Sequence, residues 1–245
     1  MSVDYTNVFA DVRADTRMSV KGAHVTAGKL AFDWPELHEN EVHVWVVSLP
    51  PLPTNSSWHL LSADERHRAN RFCFDTDKHR FTYCRAALRR ILGRYLCTSP
   101  MSLRFEYDAY GKPKLREPQT AIEFNVSHSR DIALIALARK LAVGIDVEAV
   151  RNDFIVGDIL RLVFSTRELE RLQAMPPEEQ RLETFRTWAA KEAYLKANGK
   201  GFSVAPNSLE ADELPVRVLD VRDGFAAALA TAEDATIEVR KFEFA

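Results

Sequence analysis

The order of secondary-structure patterns along the chain constrains its fold more than any other feature. A strand pattern, then helical patterns and then short strand patterns occur from about Glu41, and the same order returns after residue 139. Two successive units of this kind predict an α+β fold of two similar halves, each a small antiparallel sheet packed with helices. We therefore expect a leader at 1–40, an N-terminal half at 41–138 and a C-terminal half at 139–245.

Local signals predict the elements of the first half. Alternating residues at 41–47 predict a strand, and a capping box at Ser62 and Glu65 predicts the start of a helical stretch that reaches about Cys97. That stretch forms two helices or one bent helix. Four further strand patterns predict a small antiparallel meander, at residues 103–107, 121–126, 132–137 and 142–147.

The second half begins its helices with another capping box. Ser165 and Glu168 predict a helix to about Met175, and Pro177 predicts the first turn of a longer helix that ends near Asn198. Strand patterns follow at residues 214–221, 225–230 and 236–244.

Composition excludes several functional classes. The net charge is −2, from 33 basic and 35 acidic side chains, so the protein has no overall field to hold a nucleic acid. Its three cysteines match neither a zinc knuckle nor a disulfide framework, which favours the reducing cytoplasm. The first residues lack an apolar run long enough for a signal peptide or a membrane helix. We expect a cytoplasmic protein that binds neither nucleic acid nor membrane.

The segment Val143-Gly-Ile-Asp-Val-Glu148 contains two carboxylates at strand spacing. The alternation of a β-strand directs Asp146 and Glu148 to one face, about 7 Å apart. Mg²⁺ is commonly held by one or two carboxylates together with waters and substrate phosphates. The pair could supply part of a magnesium site, but taken alone it favours the alternative, an acidic, solvent-facing edge strand.

The last long helical pattern places an acid and a base on one stripe. Trp188, Glu192 and Lys196 recur at intervals of four residues, so they share one helix face. The alternative is an ordinary Glu–Lys surface pair worth about 0.2–0.5 kcal/mol, with Gly199 ending the helix.

Two further groups could bind phosphate. The run Ser127-His128-Ser129 offers hydroxyls and an imidazole, and adjacent residues of a strand point to opposite faces, which argues against a hydrolase-like Ser-His pair. The alternative is a turn rich in small polar residues. Basic side chains on the first helical stretch could hold phosphates or form a solvated face: Arg66, Arg68, Arg71, Lys78, Arg80, Arg85, Arg89 and Arg90.

Taken in order, four motifs resemble the 4'-phosphopantetheinyl transferase superfamily, in its single-chain branch often called Sfp-type. The resemblance covers roughly residues 41–207 and implies a pseudo-dimer of two similar α+β halves with the active site between them. The motifs are Gly111-Lys112-Pro113, Phe124-Asn-Val-Ser-His-Ser129, Gly144-Ile-Asp-Val-Glu148 and Trp188-x-x-Lys-Glu-Ala-x-x-Lys196-x-x-Gly199-x-Gly201.

The resemblance also implies which residues form the site. The implied ligands of Mg²⁺, or of Mn²⁺ as the alternative ion, are Asp146, Glu148 and Glu192. The implied contacts of coenzyme A are Lys112, Ser127, His128 and Lys196, with Arg68, Arg71 and Arg80 added from the first motif.

The implied reaction transfers phosphopantetheine from coenzyme A to a serine of an acyl or peptidyl carrier protein, releasing adenosine 3',5'-bisphosphate. Glu192 is the implied general base, directly or through a metal-bound water, and Lys196 the implied cation at the leaving group. Since two halves already enclose the site, a monomer is expected. Two alternatives stay open: a nucleotide-pyrophosphate hydrolase and a carrier-protein binder without chemistry. The type of carrier is not readable from the sequence.

Overall fold

The computed structural model describes residues 34–51, 55–108, 111–151, 158–199, 203–232 and 235–244. Almost all of the predicted leader lies outside these ranges. No helix in them is both long enough and apolar enough to cross a membrane. The regular elements are β1 Glu41–Ser48, α1 Ala63–Ala69, α2 Asp75–Tyr95, β2 Arg104–Tyr107, β3 Pro113–Glu117, β4 Ile122–Ser129, β5 Ile132–Arg139, β6 Val143–Ala149, α3 Asp158–Val163, α4 Thr166–Ala174, α5 Pro177–Ala197, β7 Val216–Leu219, β8 Phe225–Thr231 and β9 Glu238–Phe244.

The first sheet has four strands in the order β4-β5-β1-β9, and its central strands β5 and β1 are buried on both faces. Trp45 and Val47 of β1 pack against α2, whereas Val44 and Val46 pack against the second sheet. Because both faces are covered, β1 is buried along almost its whole length, unlike a strand with one face in water. The first sheet is therefore the middle layer of the protein.

The second sheet has three strands in the order β6-β8-β7. The alternation of β8 directs Leu229 to the first sheet and Ala228 to α5. Small side chains line the contact with α5, and the closest approach is at Gly144, where an added Cβ would lie 2.0 Å from the carbonyl oxygen of Ala193. The face of β6 that meets α5 is thus the face with Asp146 and Glu148.

Most element predictions are confirmed, and so is the α+β class. Both capping boxes form: the Ser62 amide donates to Glu65 Oε2 (2.9 Å), and Ser165 and Glu168 exchange hydrogen bonds of 2.9 and 3.1 Å. The first helical stretch forms two helices, separated at residues 70–74.

Two predicted pairings are wrong. The meander does not continue into β6, which lies on the first sheet and pairs with β8 instead. The two strands β2 and β3 form a separate hairpin. The reason is that the apolar side chains Ile145 and Val147 are buried against the face of the first sheet, and an alternating pattern does not reveal which strand is the neighbour.

The last strand crosses between the predicted halves. β9 pairs with β1 in parallel, with Trp45 opposite Phe242, so the first sheet is mixed rather than antiparallel. The two sheets also differ in strand number. The boundary near residue 139 and the pseudo-dimer relation stay predictions.

Candidate active site

A cavity of about 400 Å³ opens where β4, β6 and α5 meet. The motifs on these elements are far apart in the sequence, and the fold brings them to one place. The cavity is lined by Val126, Ser127, His128, Asp146, Glu148, Trp188, Glu192 and Lys196.

Asp146 is the most buried acid of the cavity, with 3% of its surface exposed. Its Oδ1 accepts hydrogen bonds from Ser127 Oγ (2.8 Å) and Lys196 Nζ (2.5 Å). Its Oδ2 is buried and has no hydrogen-bond partner. A buried carboxylate oxygen without a donor costs free energy, so this atom is suited to a cation or a ligand donor.

The other two acids stand in an environment that disfavours their charge. Burial, followed by the negative charge of Asp146, raises the pKa of Glu148 to about 7. Burial also raises the pKa of Glu192, with Lys196 opposing it. Carboxylates with raised pKa values around one cavity are stabilised by a positive ligand.

Lys196 and His128 supply the basic side of the cavity. Burial alone lowers the pKa of Lys196, but attraction to Asp146 and their hydrogen bond outweigh it, so its pKa lies above the usual value. Desolvation, together with the charges of Lys196 and Arg80, lowers the pKa of His128. Lys196 is therefore a stable cation, and His128 is a neutral hydrogen-bonding group near neutral pH.

The residues present fit a magnesium ion, although they do not form a complete cage. In the part of the chain that the structure describes, no group of three His, Cys, Asp or Glu side chains is arranged to hold a metal. Lys196 occupies one oxygen of Asp146, and the other is free. Since Mg²⁺ commonly takes only one or two carboxylates plus waters and substrate phosphates, such a partial set agrees with its chemistry.

Lys112 lies outside the cavity lining. Its Nζ donates to the carbonyl oxygens of Val143 (3.2 Å) and Lys196 (2.7 Å). Burial lowers the pKa of Lys112. The side chain thus connects the turn before β3 with the start of β6 and the end of α5, and its ammonium is used on the backbone.

The three predicted arginines do not line the cavity either. The guanidinium of Arg68 lies 5.5 Å from the ring centre of Phe81, and Arg71 is exposed. Arg80 forms a half-exposed ion pair with Asp77 (3.4 Å) in the first turn of α2. The charge of Arg80 nevertheless contributes to the lowered pKa of His128.

A buried ion pair fixes the orientation of α5. Lys191 is 1% exposed, and its Nζ donates to Glu168 Oε2 (2.5 Å) and to the carbonyl oxygen of Val163 (2.8 Å). Glu168 also accepts the amides of Ser165 and Ala211. Lys191 is held on the side of α5 that faces Glu168 and Val163, and the next residue, Glu192, faces the cavity.

Sequence reasoning missed the roles of Asn125 and Ser129. Both lie on β4, and both accept hydrogen bonds from backbone amides of β6. The available signal was the alternation Asn125-x-Ser127-x-Ser129, which places three short polar side chains on one face of a strand.

Comparison with protein families agrees with this geometry. The description "4'-phosphopantetheinyl transferase, N-terminal" matches residues 52–140, and "4'-phosphopantetheinyl transferase superfamily" matches residues 142–240. The 4'-phosphopantetheinyl transferase HetI of Nostoc sp. is 40% identical over 171 residues, which are 68% of this chain and 72% of HetI. The chain belongs to the 4'-phosphopantetheinyl transferase superfamily. The resemblance drawn from the motifs, including the Sfp-type branch, is confirmed.

Other members of the superfamily are more distant. The 4'-phosphopantetheinyl transferase Sfp of Bacillus subtilis is 30% identical over 149 residues, 61% of this chain and 65% of Sfp. The human L-aminoadipate-semialdehyde dehydrogenase-phosphopantetheinyl transferase is 28% identical over 183 residues, 68% of this chain and 59% of the human protein. The two matched superfamily regions meet between β5 and β6, and the cavity contains residues of both.

Proposed function

We propose that this protein transfers the 4'-phosphopantetheine group of coenzyme A to a serine hydroxyl of an acyl or peptidyl carrier protein, converting it from the apo to the holo form. Adenosine 3',5'-bisphosphate is the second product. The observation that carries the proposal is the cavity of a superfamily member in which three acids and Lys196 stand together. The relatives HetI and Sfp are named as transferases of this kind.

The acids are the proposed metal ligands. Asp146, through its free Oδ2, and Glu148 and Glu192 would hold Mg²⁺ or Mn²⁺, which supplies positive charge to the phosphate oxygens during the displacement. The shape of the cavity then orients the donor, since the acids stand on β6 and α5 and His128 stands on β4. The proposed contacts of the remaining donor phosphates are Arg68, Arg71 and Arg80. Lys112 would join them only if its ammonium left the carbonyl oxygens of Val143 and Lys196.

Glu192 is the proposed general base for the serine hydroxyl. Burial raises the pKa of Glu192, which favours proton acceptance by its carboxylate, whereas a cation bound to the same carboxylate would lower that pKa. Lys196 is the proposed partner of the leaving group, because its ammonium is a stable cation that stands at the cavity wall. A fixed positive charge at this position stabilises the negative charge that develops on the departing phosphate.

The remaining parts of the proposal concern the setting of the enzyme. It acts as a monomer in the cytoplasm and uses neither nucleic acid nor membrane as a partner. The carrier protein docks beside the cavity mouth, on a surface that is basic and apolar, since carriers present acidic surfaces around their modified serine.

Intact-mass spectrometry of apo carrier proteins tests the reaction. Acyl and peptidyl carriers are incubated with coenzyme A, Mg²⁺ and either wild-type protein or Asp146→Asn, and Asp212→Asn at a surface ion pair serves as the matched control. We expect a gain of one phosphopantetheine mass with the wild type and the control but not with Asp146→Asn.

The rival functions give different results in the same experiment. Cleavage of coenzyme A without a carrier would favour a pyrophosphate hydrolase. Binding of a carrier without binding of coenzyme A or metal would favour a non-catalytic binder. No mass gain on any carrier would contradict the proposed transfer.

A further inference from the structure

Hydrogen bonds from backbone amides of β6 to side chains of β4, rather than backbone-to-backbone hydrogen bonds, join these two strands. The two strands belong to different sheets. β6 pairs with β8 along one edge, and the amides of its other edge point towards β4. Three of these amides donate to β4 side chains, namely Ile145 to Asn125 Oδ1 (2.9 Å), Val147 to Ser127 Oγ (3.4 Å) and Ala149 to Ser129 Oγ (3.0 Å).

The three contacts form a regular ladder. Each amide lies 20 residues after its acceptor, so β4 and β6 run in the same direction with matched spacing. Alternate side chains of a strand share one face, and alternate amides of a strand share one edge. Every second side chain of β4 therefore meets every second amide of β6, with the same spacing along all three contacts, at Asn125, Ser127 and Ser129. Buried amides that would otherwise lack a partner are satisfied in this way.

The two serines also hold the cavity acids. Ser127 Oγ donates to Asp146 Oδ1 (2.8 Å), and Ser129 Oγ donates to Glu148 Oε2 (3.1 Å). A hydroxyl has one proton and two lone pairs, so each serine gives its proton to a carboxylate while it accepts a backbone amide. Asn125 accepts the Ile145 amide and so belongs to the ladder, but unlike the serines it does not donate to Asp146 or Glu148.

Ser129 is a better residue than Ser127 for testing a positioning role apart from direct ligand binding. Ser127 lines the cavity, whereas Ser129 does not. Ser129 contacts both the backbone of Ala149 and the carboxylate of Glu148, so its two hydrogen bonds fix the Glu148 side chain relative to its own strand.

We propose that Ser129 is a positioning residue that sets the carboxylate of Glu148 for the metal, and that the Asn125-Ser127-Ser129 ladder fixes the register of β6 against β4. The effect on metal binding rests on the function proposed above. The ladder itself does not depend on that function.

Three variants separate these effects: Ser129→Ala, Ser129→Thr and Asn125→Ala. The first removes the ladder contact and the carboxylate contact, the second keeps the hydroxyl, and the third removes a ladder contact only. Mn²⁺ binding is measured by electron paramagnetic resonance with coenzyme A present and no carrier. Amide hydrogen exchange at Ala149 and Ile145 is measured on the same samples.

We expect Ser129→Ala to speed exchange of the Ala149 amide and to weaken Mn²⁺ binding about tenfold, the lower end of the range for lost partners of metal ligands. Ser129→Thr should restore most of the affinity. Asn125→Ala should speed exchange of the Ile145 amide and leave Mn²⁺ affinity close to that of the wild type.

Unchanged Mn²⁺ affinity in Ser129→Ala would overturn the positioning role. An equal loss in Asn125→Ala would overturn it as well, since the register of β6 alone would then explain the effect. Slow exchange at Ala149 in Ser129→Ala would refute the ladder. A wild-type protein that binds no Mn²⁺ would instead contradict the proposed metal site, so the two failures are distinguishable.

Discussion

Replacing Gly144 with alanine tests whether the contact of β6 with α5 positions the site. The new Cβ would lie 2.0 Å from the carbonyl oxygen of Ala193 and 2.3 Å from the amide nitrogen of Ala197. Ordinary contact begins at 3.4 Å, so about 1.4 Å of overlap must be relieved against helix backbone rather than against a flexible side chain. Such overpacking costs about 1–3 kcal/mol, or more where the surroundings cannot move.

The same displacement acts on catalysis. Separating α5 from β6 lengthens the distance between Lys196 Nζ and Asp146 Oδ1, which is 2.5 Å in the wild type. It also moves Glu192 away from Glu148. A misplacement of about 1 Å in an active site can cost about 10²-fold in rate. We therefore expect Gly144→Ala to lower the free energy of unfolding by at least 2 kcal/mol, taken as about the middle of the overpacking range, and kcat by about 10²-fold.

Urea unfolding and carrier-modification kinetics measure the two effects. Gly224→Ala is the matched control, because Gly224 has a φ of 80° and an added Cβ there would meet no atom within 4 Å. That variant should lose about 1–2 kcal/mol through backbone strain while kcat stays unchanged. If Gly144→Ala unfolded like the wild type and kept its kcat, the close packing of β6 on α5 would not position the site.

Three further predictions follow from individual contacts. Lys112→Met should lower the free energy of unfolding by about 1–3 kcal/mol in urea titrations, because two part-buried carbonyl oxygens lose their donor, and should reduce kcat more than it raises the KM for coenzyme A. A raised KM with unchanged stability would make Lys112 a phosphate contact instead. In the presence of a chelator, Glu148→Gln should be more stable than the wild type at pH 8 but not at pH 4. The pKa of Glu148 is about 7 in the folded protein, above its value in the unfolded chain, so the folded protein keeps this proton longer as pH rises. Ionisation of Glu148 therefore destabilises the wild type between the unfolded pKa and about pH 7, and it does not occur in the variant. Equal pH profiles of stability for the two proteins would refute this prediction. Glu192→Gln should weaken Mn²⁺ binding, because a proposed ligand loses its charge, and should lower kcat by about 10²-fold or more even at saturating Mn²⁺; a rate within a few-fold of wild type at saturating Mn²⁺ would exclude Glu192 as the base.

Local patterns predicted which strand face and which helix stripe the acids of the cavity occupy, but their assignment to one site depended on the resemblance to a family. Strand alternation places Asp146 and Glu148 on the face of β6 that meets α5, and helix periodicity places Glu192 and Lys196 on one stripe of α5. Both periodicities depend only on neighbouring residues, and the structure brings all four side chains to the same cavity. Their chemical roles stay predictions.

Long-range pairing could not be predicted in the same way. The parallel pairing of β9 with β1 and the departure of β6 from the meander depend on contacts between distant segments. The destination of Lys112 is equally non-local, because its acceptors lie 31 and 84 residues away in the sequence. No property of the sequence around Lys112 distinguishes a phosphate contact from a backbone contact.

The contact of β4 with β6 explains why the site needs both sheets. In a continuous sheet, backbone groups would pair across a spacing of about 4.8 Å, and the amides of β6 would be unavailable to serine hydroxyls. Here β6 lies on the face of the first sheet, so Ser127 and Ser129 can reach its amides and its carboxylates together. Asp146 and Glu148 are on β6 of the second sheet, and their hydroxyl donors Ser127 and Ser129 are on β4 of the first sheet. Separating the two sheets would therefore leave Asp146 and Glu148 without these hydroxyl donors, even if the strand pairing within each sheet were kept.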